Sequence, residues 1–481
     1  KPTHILIEGD NYHALSVLNY THQNAIDVIY IDPPFNTGSR SWKYNNDFVD
    51  KEDSFKHSKF ISFMANRLRL TKSLLKDDGI IIVAIDDYEI HTIRFLMDEI
   101  FQENNRLGSV TVVHNPRGRS DDKFFASSHE YMLIYSKNSS IAKTNKLKAT
   151  EEQLDAFNKE DDISRYRELS FRRSGSNSRR EDRPNLFYPV YFNSKTKEIS
   201  FSPKKGYSKI IPLDTSGNER VWRWGQDTLF ERYSSEIVIK ERNGKFNIYT
   251  KDRIKEGRKP KSIWHNPKYD ASSHGTILLQ KILGRRNLFE YPKSIFTVLD
   301  ILQVTTDESS IVLDFFAGSG TTAHSMMELN KIDNGSRQCI LVTNNENDIC
   351  KNVCYPRVSK IINGYVEPNS TKVQGYKDNL QFFKTSFVPA KSTDRNKEKL
   401  TKQSVEMLCL KENTFDSVLD LDNIKIFKNN DHYTGILFDE EEIPNFKEQI
   451  KDFELPVSVY VFSLGDDDFA EEFSDIKDKV K

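Results

Sequence analysis

Cysteine is scarce in this 481-residue chain, which has four: Cys339, Cys350, Cys354 and Cys409. Only Cys350 and Cys354 lie close together, whereas a zinc ribbon needs two such pairs and a disulfide-built scaffold needs several bridges. Buried structural thiols in an intracellular protein are therefore expected. Net charge is lacking as well. Seventy Lys and Arg face 71 Asp and Glu, which excludes a uniformly cationic, histone-like protein and makes any nucleic-acid surface local. No apolar run approaches the roughly 20 residues that cross a bilayer, and the start KPTHILIEGD has no signal-peptide pattern. A cytoplasmic location with no membrane contact is expected. The chain starts without Met and ends on SDIKDKVK, which leaves both termini open to trimming. Length is ample: at about 150 residues per domain it suggests roughly three domains.

Short apolar runs alternate with helical patterns over residues 4–114, the signature of an α/β fold with a doubly wound, mostly parallel sheet, and residues 1–138 read as the first part of that domain. HILI (4–7) leads to Gly9-Asp10-Asn11, AIDVIYI (25–31) stops at Asp32-Pro33-Pro34, and GIIIVAI (79–85) stops at Asp86-Asp87. Successive apolar residues suit strands covered on both faces, and polar strand ends suit a ligand edge. HSKFISFMANRLRLTKSLL (57–75) has amphipathic helical spacing, and EYMLIYS (130–136) reads as a further strand. Residues 139–261 are polar, Arg-rich and irregular, with β-like pieces NLFYPVYFN (185–193) and FNIYTKD (246–252), and read as an inserted domain. The α/β style returns over 262–384 with TILLQKILG (276–284), SIVLDFF (310–316) and QCILVTN (338–344). Residues 385–481 turn acidic and predict a small α+β appendage, with VSVYVFSL (457–464) as a strand.

Two motifs carry chemistry. Asp314-Phe-Phe-Ala-Gly-Ser-Gly-Thr-Thr322 follows a strand and opens a helix; its small residues let a ligand approach the backbone. Gly320 stands where an ATPase-type loop needs Lys, so ATP hydrolysis is disfavoured and another nucleotide-like cofactor is implied. Glu346, beyond the next strand, is spaced to accept hydrogen bonds from ribose hydroxyls. The second motif, Asp32-Pro33-Pro34-Phe35, makes a rigid corner with exposed carbonyls. A carboxylate beside a carbonyl can accept both hydrogens of an exocyclic amino group, while an aromatic ring stacks on the base. A plain strand terminator is the competing reading. The histidines, including His13, His129 and His324, show no metal-ligand spacing.

Together, IEGDNYHAL, YIDPPFNTG, YNNDF, SHEYMLIYSKN, FEYPKS, LDFFAGSGTT and CILVTNNE resemble, over most of residues 1–365, the β-class of amino-methylating DNA methyltransferases. The resemblance points to the modification (Mod) subunits of Type III restriction systems and their solitary relatives. It implies a Rossmann-like methyltransferase sheet and S-adenosylmethionine as cofactor. Phe316, Ala317, Gly318 and Gly320, with Asp314 beside them, would hold its methionine part, Glu346 its ribose and Asp10 its adenine edge. Tyr291, Pro292 and Lys293 would close over the methionine end. Asp32, Pro33, Pro34 and Phe35 would be catalytic, Asp32 also bordering the cofactor, and the leading Asp favours adenine N6 over cytosine N4. The base must be flipped out of the duplex. Asn45, Asp47 and Phe48 are candidates for bordering it. The resemblance further implies a homodimer and, for Type III relatives, a separate ATP-dependent restriction subunit. RNA or cytosine-N4 methylation, or a non-catalytic DNA-binding role, are the alternatives.

The insertion offers a basic surface for double-stranded DNA. SRYRELSFRRSGSNSRREDR (164–183) contains seven Arg, including Arg172, Arg173, Arg179 and Arg180, against three acids. Arg117 and Arg119 in HNPRGR are a second candidate. The bland reading of both is a solvated charged loop. Trp222, Trp224 and Tyr233 are expected in a core rather than on a base-stacking platform.

Overall fold

Apolar runs form the middle of one large sheet in the computed structural model, which describes every residue except 35–42, 45, 46, 49–55, 119–121, 148–153, 243, 255, 256 and 464–468. In chain order its strands are β1 (Thr3–Glu8), β2 (Ile26–Ile31), β3 (Leu75–Ile85), β4 (Arg106–Val113), β5 (His129–Ser136), β6 (Ile263–Trp264), β7 (Ile311–Asp314), β8 (Gln338–Thr343) and β9 (Asn379–Lys384). They lie in the order β6-β4-β5-β3-β2-β7-β8-β1-β9. Neighbours are parallel except at β5, which runs against both β4 and β3. The parallel strands therefore end on one edge, where open α/β sheets bind ligands. The fold is the Rossmann-like, mostly parallel sheet expected.

The apolar runs follow from two-sided burial. Val28, Ile29 and Ile31 of β2 and Ile81 to Ile85 of β3 have no exposed surface. On one face lie α1 (Asn11–Thr21), α2 (Lys56–Leu74) and α3 (Ile90–Phe101). Phe60, Met64 and Leu68, spaced by four along α2, share a core with Leu15, Leu18, Ile93 and Met97. Further on, α4 (Ile295–Thr305) packs against α5 (Thr321–Asp333), followed by α6 (Tyr355–Asn363). TILLQKILG is helical but not uniformly α: a π-type turn over Ser272–Ile277 precedes an α segment over Leu278–Leu283, and Gly284 ends it at φ +73°. The acidic C-terminal part is α+β, with α7 (Asp394–Glu412) and a four-stranded sheet of β10 (Asp416–Asp420), β11 (Ile424–Lys428), β12 (Tyr433–Leu437) and β13 (Val457–Val461).

Contacts divide the chain into one unit of residues 1–145 and 261–481 and a second of 146–260. Residues up to 145 stay with the first because Asn145 donates its backbone N–H to Val304 and its side chain to Thr306. The second unit is built on an antiparallel sheet including Arg165–Ser170, Ile237–Arg242 and Lys245–Arg253. NLFYPVYFN yields only the short strand Val190–Phe192, because Pro184–Leu186 forms a 3-10 turn and Pro189 lacks a ladder donor. Trp222 stacks on Phe171 with centroids 5.3 Å apart and donates its indole N–H to Tyr188 O, while Trp224 and Tyr233 pack on the same core. All four cysteines are buried free thiols.

Candidate active site

Strand pairing juxtaposes the two motifs. Val28 and Ile29 of β2 face Val312 and Leu313 of β7, so Asp32 and the turn after Asp314 leave neighbouring strands at the same edge. Pro33 is buried and Pro34 half-buried, and neither can donate to a ladder, so the strand stops there. Asp32 Oδ1 lies 3.2 Å from Lys293 Nζ, which in turn lies 2.5 Å from Glu130 Oε2. Lys293 sits just before α4 and Glu130 near the start of the antiparallel strand β5; both are buried. His114 Nδ1 is 3.9 Å from the same Glu130 oxygen.

This is a buried cation between two carboxylates. Burial pushes the Asp32 carboxyl up, Lys293 pulls it down, and Glu130 and Asp86 add to the rise. Burial alone would lower Lys293, but Asp32 and Glu130 hold it above the ordinary lysine range. Tyr30, also on β2, buries its hydroxyl without a hydrogen-bond partner among the described residues. Burial first, then Asp32, Glu130 and Asp314, keep that phenol protonated far above its usual range.

The glycine turn is held from below. Asp314 accepts from Phe316 N at 3.0 Å and Thr322 Oγ1 at 2.5 Å, and burial pushes its carboxyl up to about 7. Gly318 and Gly320 have φ of +49° and +77°, and a Cβ on Gly318 would come within 3.1 Å of the Phe289 ring. Ala317 N–H donates to Val342 O, tying the turn to β8. Arg357 of α6, with no exposed surface, donates to Ser319 O, Ser319 Oγ and Thr321 Oγ1 at 2.9–3.2 Å. Burial lowers this guanidinium to about 10.

Asp10 and Glu346, which follow β1 and β8, lie at the same edge. Asp10 caps α1 by accepting from Tyr12 N at 2.8 Å and faces Arg67 Nη2 at 3.2 Å. Arg67 also donates to Asn11, whose amide reaches Phe315 O at 2.9 Å. Glu346 follows β8, half-buried, and its carboxylate has no hydrogen bond or ion pair among the described residues. Tyr291 is 80% exposed at φ +57°, whereas Pro292 is buried, its carbonyl so near Gly275 that a Cβ there would lie 2.2 Å from it. Phe35, Asn45 and Arg119 lie outside the described residues; Asp47 and Phe48 form a short strand paired with Lys43 and Tyr44.

Glu130, Arg67, Asn11 and Arg357 escaped the sequence reading. Glu130 left a signal, a carboxylate heading an otherwise apolar strand, whereas Arg357 sits in an ordinary helical pattern. Arg117 is exposed. In the second unit Arg179 is exposed and Arg172 and Arg173 half-buried, all without ion pairs among the described residues. Arg180 is committed to Glu219 at 2.9 Å and lies over the Phe187 ring. Among the described residues no His, Cys, Asp or Glu cluster suits a metal ion, and no helix is long and apolar enough to cross a membrane.

Comparison with known proteins assigns this edge to a family. The DNA methylase family model for N6 and N4 methyltransferases matches residues 26–351. The Type II methyltransferase M.KpnI of Klebsiella pneumoniae is 36% identical over 70% of this chain and 79% of its own. The Type III restriction-modification enzyme EcoPI Mod subunit of Escherichia phage P1 is 32% identical over 71% of this chain but only 57% of its own, so the chain spans little more than half of that subunit. The solved M1.HpyAVI–SAM complex aligns with 74% of this chain and 97% of its own, at 13% identity and a TM-score of 0.33. With a family model covering residues on both sides of the insertion and M.KpnI aligned over most of its length, this chain belongs to the DNA methylase family.

Proposed function

We propose that this DNA methylase transfers the methyl group of S-adenosylmethionine to N6 of an adenine flipped out of double-stranded DNA. The observation that carries the reading is the Asp32–Pro33 corner, leaving β2 directly beside the glycine turn of β7. The cofactor fits what is present: a turn with two left-handed glycines, and a Glu346 carboxylate with both oxygens available for ribose hydroxyls. Phe316, Ala317, Gly318 and Gly320 would hold its methionine end, with Asp314 bracing the turn, and Asp10 its adenine edge. Tyr291 and Pro292 would close that end. When bound, it supplies a methyl group on a sulfonium leaving group.

The chain's own residues prepare the acceptor. Adenine N6 is a weak nucleophile because its lone pair is delocalised into the ring. Ionised Asp32 accepts one amino hydrogen and the Pro33 carbonyl the other, which favours a pyramidal nitrogen with a localised lone pair. Phe35 stacks on the base. Lys293 keeps Asp32 ionised despite its burial and is itself held by Glu130, so this pair positions the carboxylate. In the insertion, Arg172, Arg173 and Arg179, which have no ion pairs among the described residues, and in the catalytic unit Arg117 and Arg119, would contact the duplex. The working form is a homodimer, with an ATP-dependent restriction subunit as a further partner.

The test is to incubate the protein and its Asp32→Ala variant with unmethylated genomic DNA and S-adenosylmethionine, then map modified bases by single-molecule sequencing. N6-methyladenine confined to one motif and absent with the variant is expected. N4-methylcytosine, or cofactor binding without DNA methylation, would overturn the reading. Analytical ultracentrifugation tests the dimer.

A further inference from the structure

Between β4 and β5, residues 114–118 leave and residues 122–128 rejoin the edge that carries Asp32, because β4 is one of the parallel strands and β5 returns against it. Asn115 N–H donates to Ser128 O at 3.1 Å and closes the base of this connection. Gly118, at φ +71°, donates to Asn115 O and packs so tightly on Ala126 that a Cβ would lie 2.6 Å from the Ala126 methyl. The Asp122 carboxylate accepts from Ser127 N at 2.7 Å. On this braced turn Phe124 and Phe125 are 82% and 91% exposed. Adjacent aromatic rings left in water on a braced element mark a contact surface. The stem continues after two residues into Glu130, which holds Lys293 beside Asp32, so the rings share an anchor with the catalytic carboxylate. Exposed Lys123, 5.1 Å from the Phe124 ring, and exposed Arg117 on the same connection supply cations suited to backbone phosphates.

We propose that Phe124 and Phe125 form a wedge that enters the duplex next to the target adenine and fills the gap it leaves in the stack. Apolar side chains between base steps offset unstacking by replacing the stacking area that flipping removes. The proposal rests on the adenine-flipping reading above.

The experiment uses duplexes carrying the motif mapped by sequencing, with the target adenine opposite thymine or opposite an abasic site, where no pairing opposes flipping. Single-turnover methylation is measured for the full-length wild type, Phe124→Ala/Phe125→Ala and Phe124→Leu/Phe125→Leu. On the paired duplex the Ala pair is expected to lose about tenfold or more, as stacked aromatics lose on truncation. On the abasic-opposed duplex, where the lost pairing makes flipping favourable enough that it no longer limits the rate, it should lose less than about threefold, with the Leu pair between Ala and wild type on both. Equal losses on the two duplexes, or none, overturn the wedge. So does a change in the sedimentation of the DNA-free Ala variant, which would assign the rings to an interface between copies. A wild type that methylates while the Ala pair matches it removes the wedge alone; a wild type inactive on all DNA removes the underlying reading and the wedge with it. Both rings are exposed, so melting temperatures should agree, which separates the outcome from misfolding.

Discussion

Replacing Lys293 by Met removes an ammonium 3.2 Å from Asp32 and 2.5 Å from Glu130 while keeping the length and apolar stem of the side chain. At an effective dielectric constant of about 20, two unit charges at that first distance interact by about 5 kcal/mol. One pKa unit corresponds to about 1.4 kcal/mol. Local relaxation and water offset part of that loss, so a rise of about one to two units is expected for Asp32. Because Asp32, already raised to about 6, must be ionised to accept an amino hydrogen, the acid limb of the pH–rate profile moves up by that amount, and the rate near neutrality falls about two- to tenfold. Stability follows the same sign. Without Lys293 the folded state binds protons more tightly than the unfolded chain, so the variant loses stability as pH rises from the ordinary carboxylate range through the raised values. At pH 8 the loss should be about 3–5 kcal/mol, the usual cost of orphaning a buried charge. Glu130→Gln/Lys293→Met leaves one carboxylate and should recover part of it. Single-turnover methylation from pH 5.5 to 9, with urea denaturation at pH 5 and 8, makes the measurement. An acid limb that stays in place, or equal destabilisation at both pH values, would refute the reasoning.

Other predictions concern the cofactor turn and the duplex. Arg357→Leu removes three hydrogen bonds to Ser319 and Thr321, so calorimetry should show S-adenosylhomocysteine binding weakened about tenfold, partly restored in Arg357→Lys; unchanged affinity would contradict the bracing role. Asp314 is held near 7 by burial, so wild type should lose stability relative to Asp314→Asn as pH rises from about 4 to 7 and run parallel above that; a pH-independent difference in urea midpoints would count against it. Arg179→Ala combined with Arg173→Ala should lower the salt dependence of DNA binding by about 0.9 in log–log slope for each phosphate left unneutralised, read by fluorescence anisotropy across salt concentrations. An unchanged slope would show that these side chains meet no phosphate.

The legible parts were those governed by local chemistry. Unbroken apolar runs at 26–31 and 79–85 signal strands with two covered faces, and the polar residues after them signal the ligand edge. Boundaries shifted where backbone constraints intervened: SIVLDFF ends as a strand at Asp314, because that carboxylate caps Phe316 N and starts the turn. The direction of β5 was not legible, since EYMLIYS is equally apolar whichever way it runs. Lys293 was read with Tyr291 and Pro292 as part of one cofactor block, yet its ammonium is committed to Asp32 and Glu130, while the neighbouring Tyr291 is exposed.

By itself the sequence determined the sheet-forming runs, the proline corner, the glycine turn and the family they announce. Each depends on residues within a few positions of one another, where backbone sterics and side-chain periodicity suffice. Tertiary structure alone decided that Glu130 meets Lys293, 163 residues later, and that Arg357 lies beneath Ser319. A buried charge takes whichever partner strand order brings within reach, and strand order follows from pairing and burial across the whole chain.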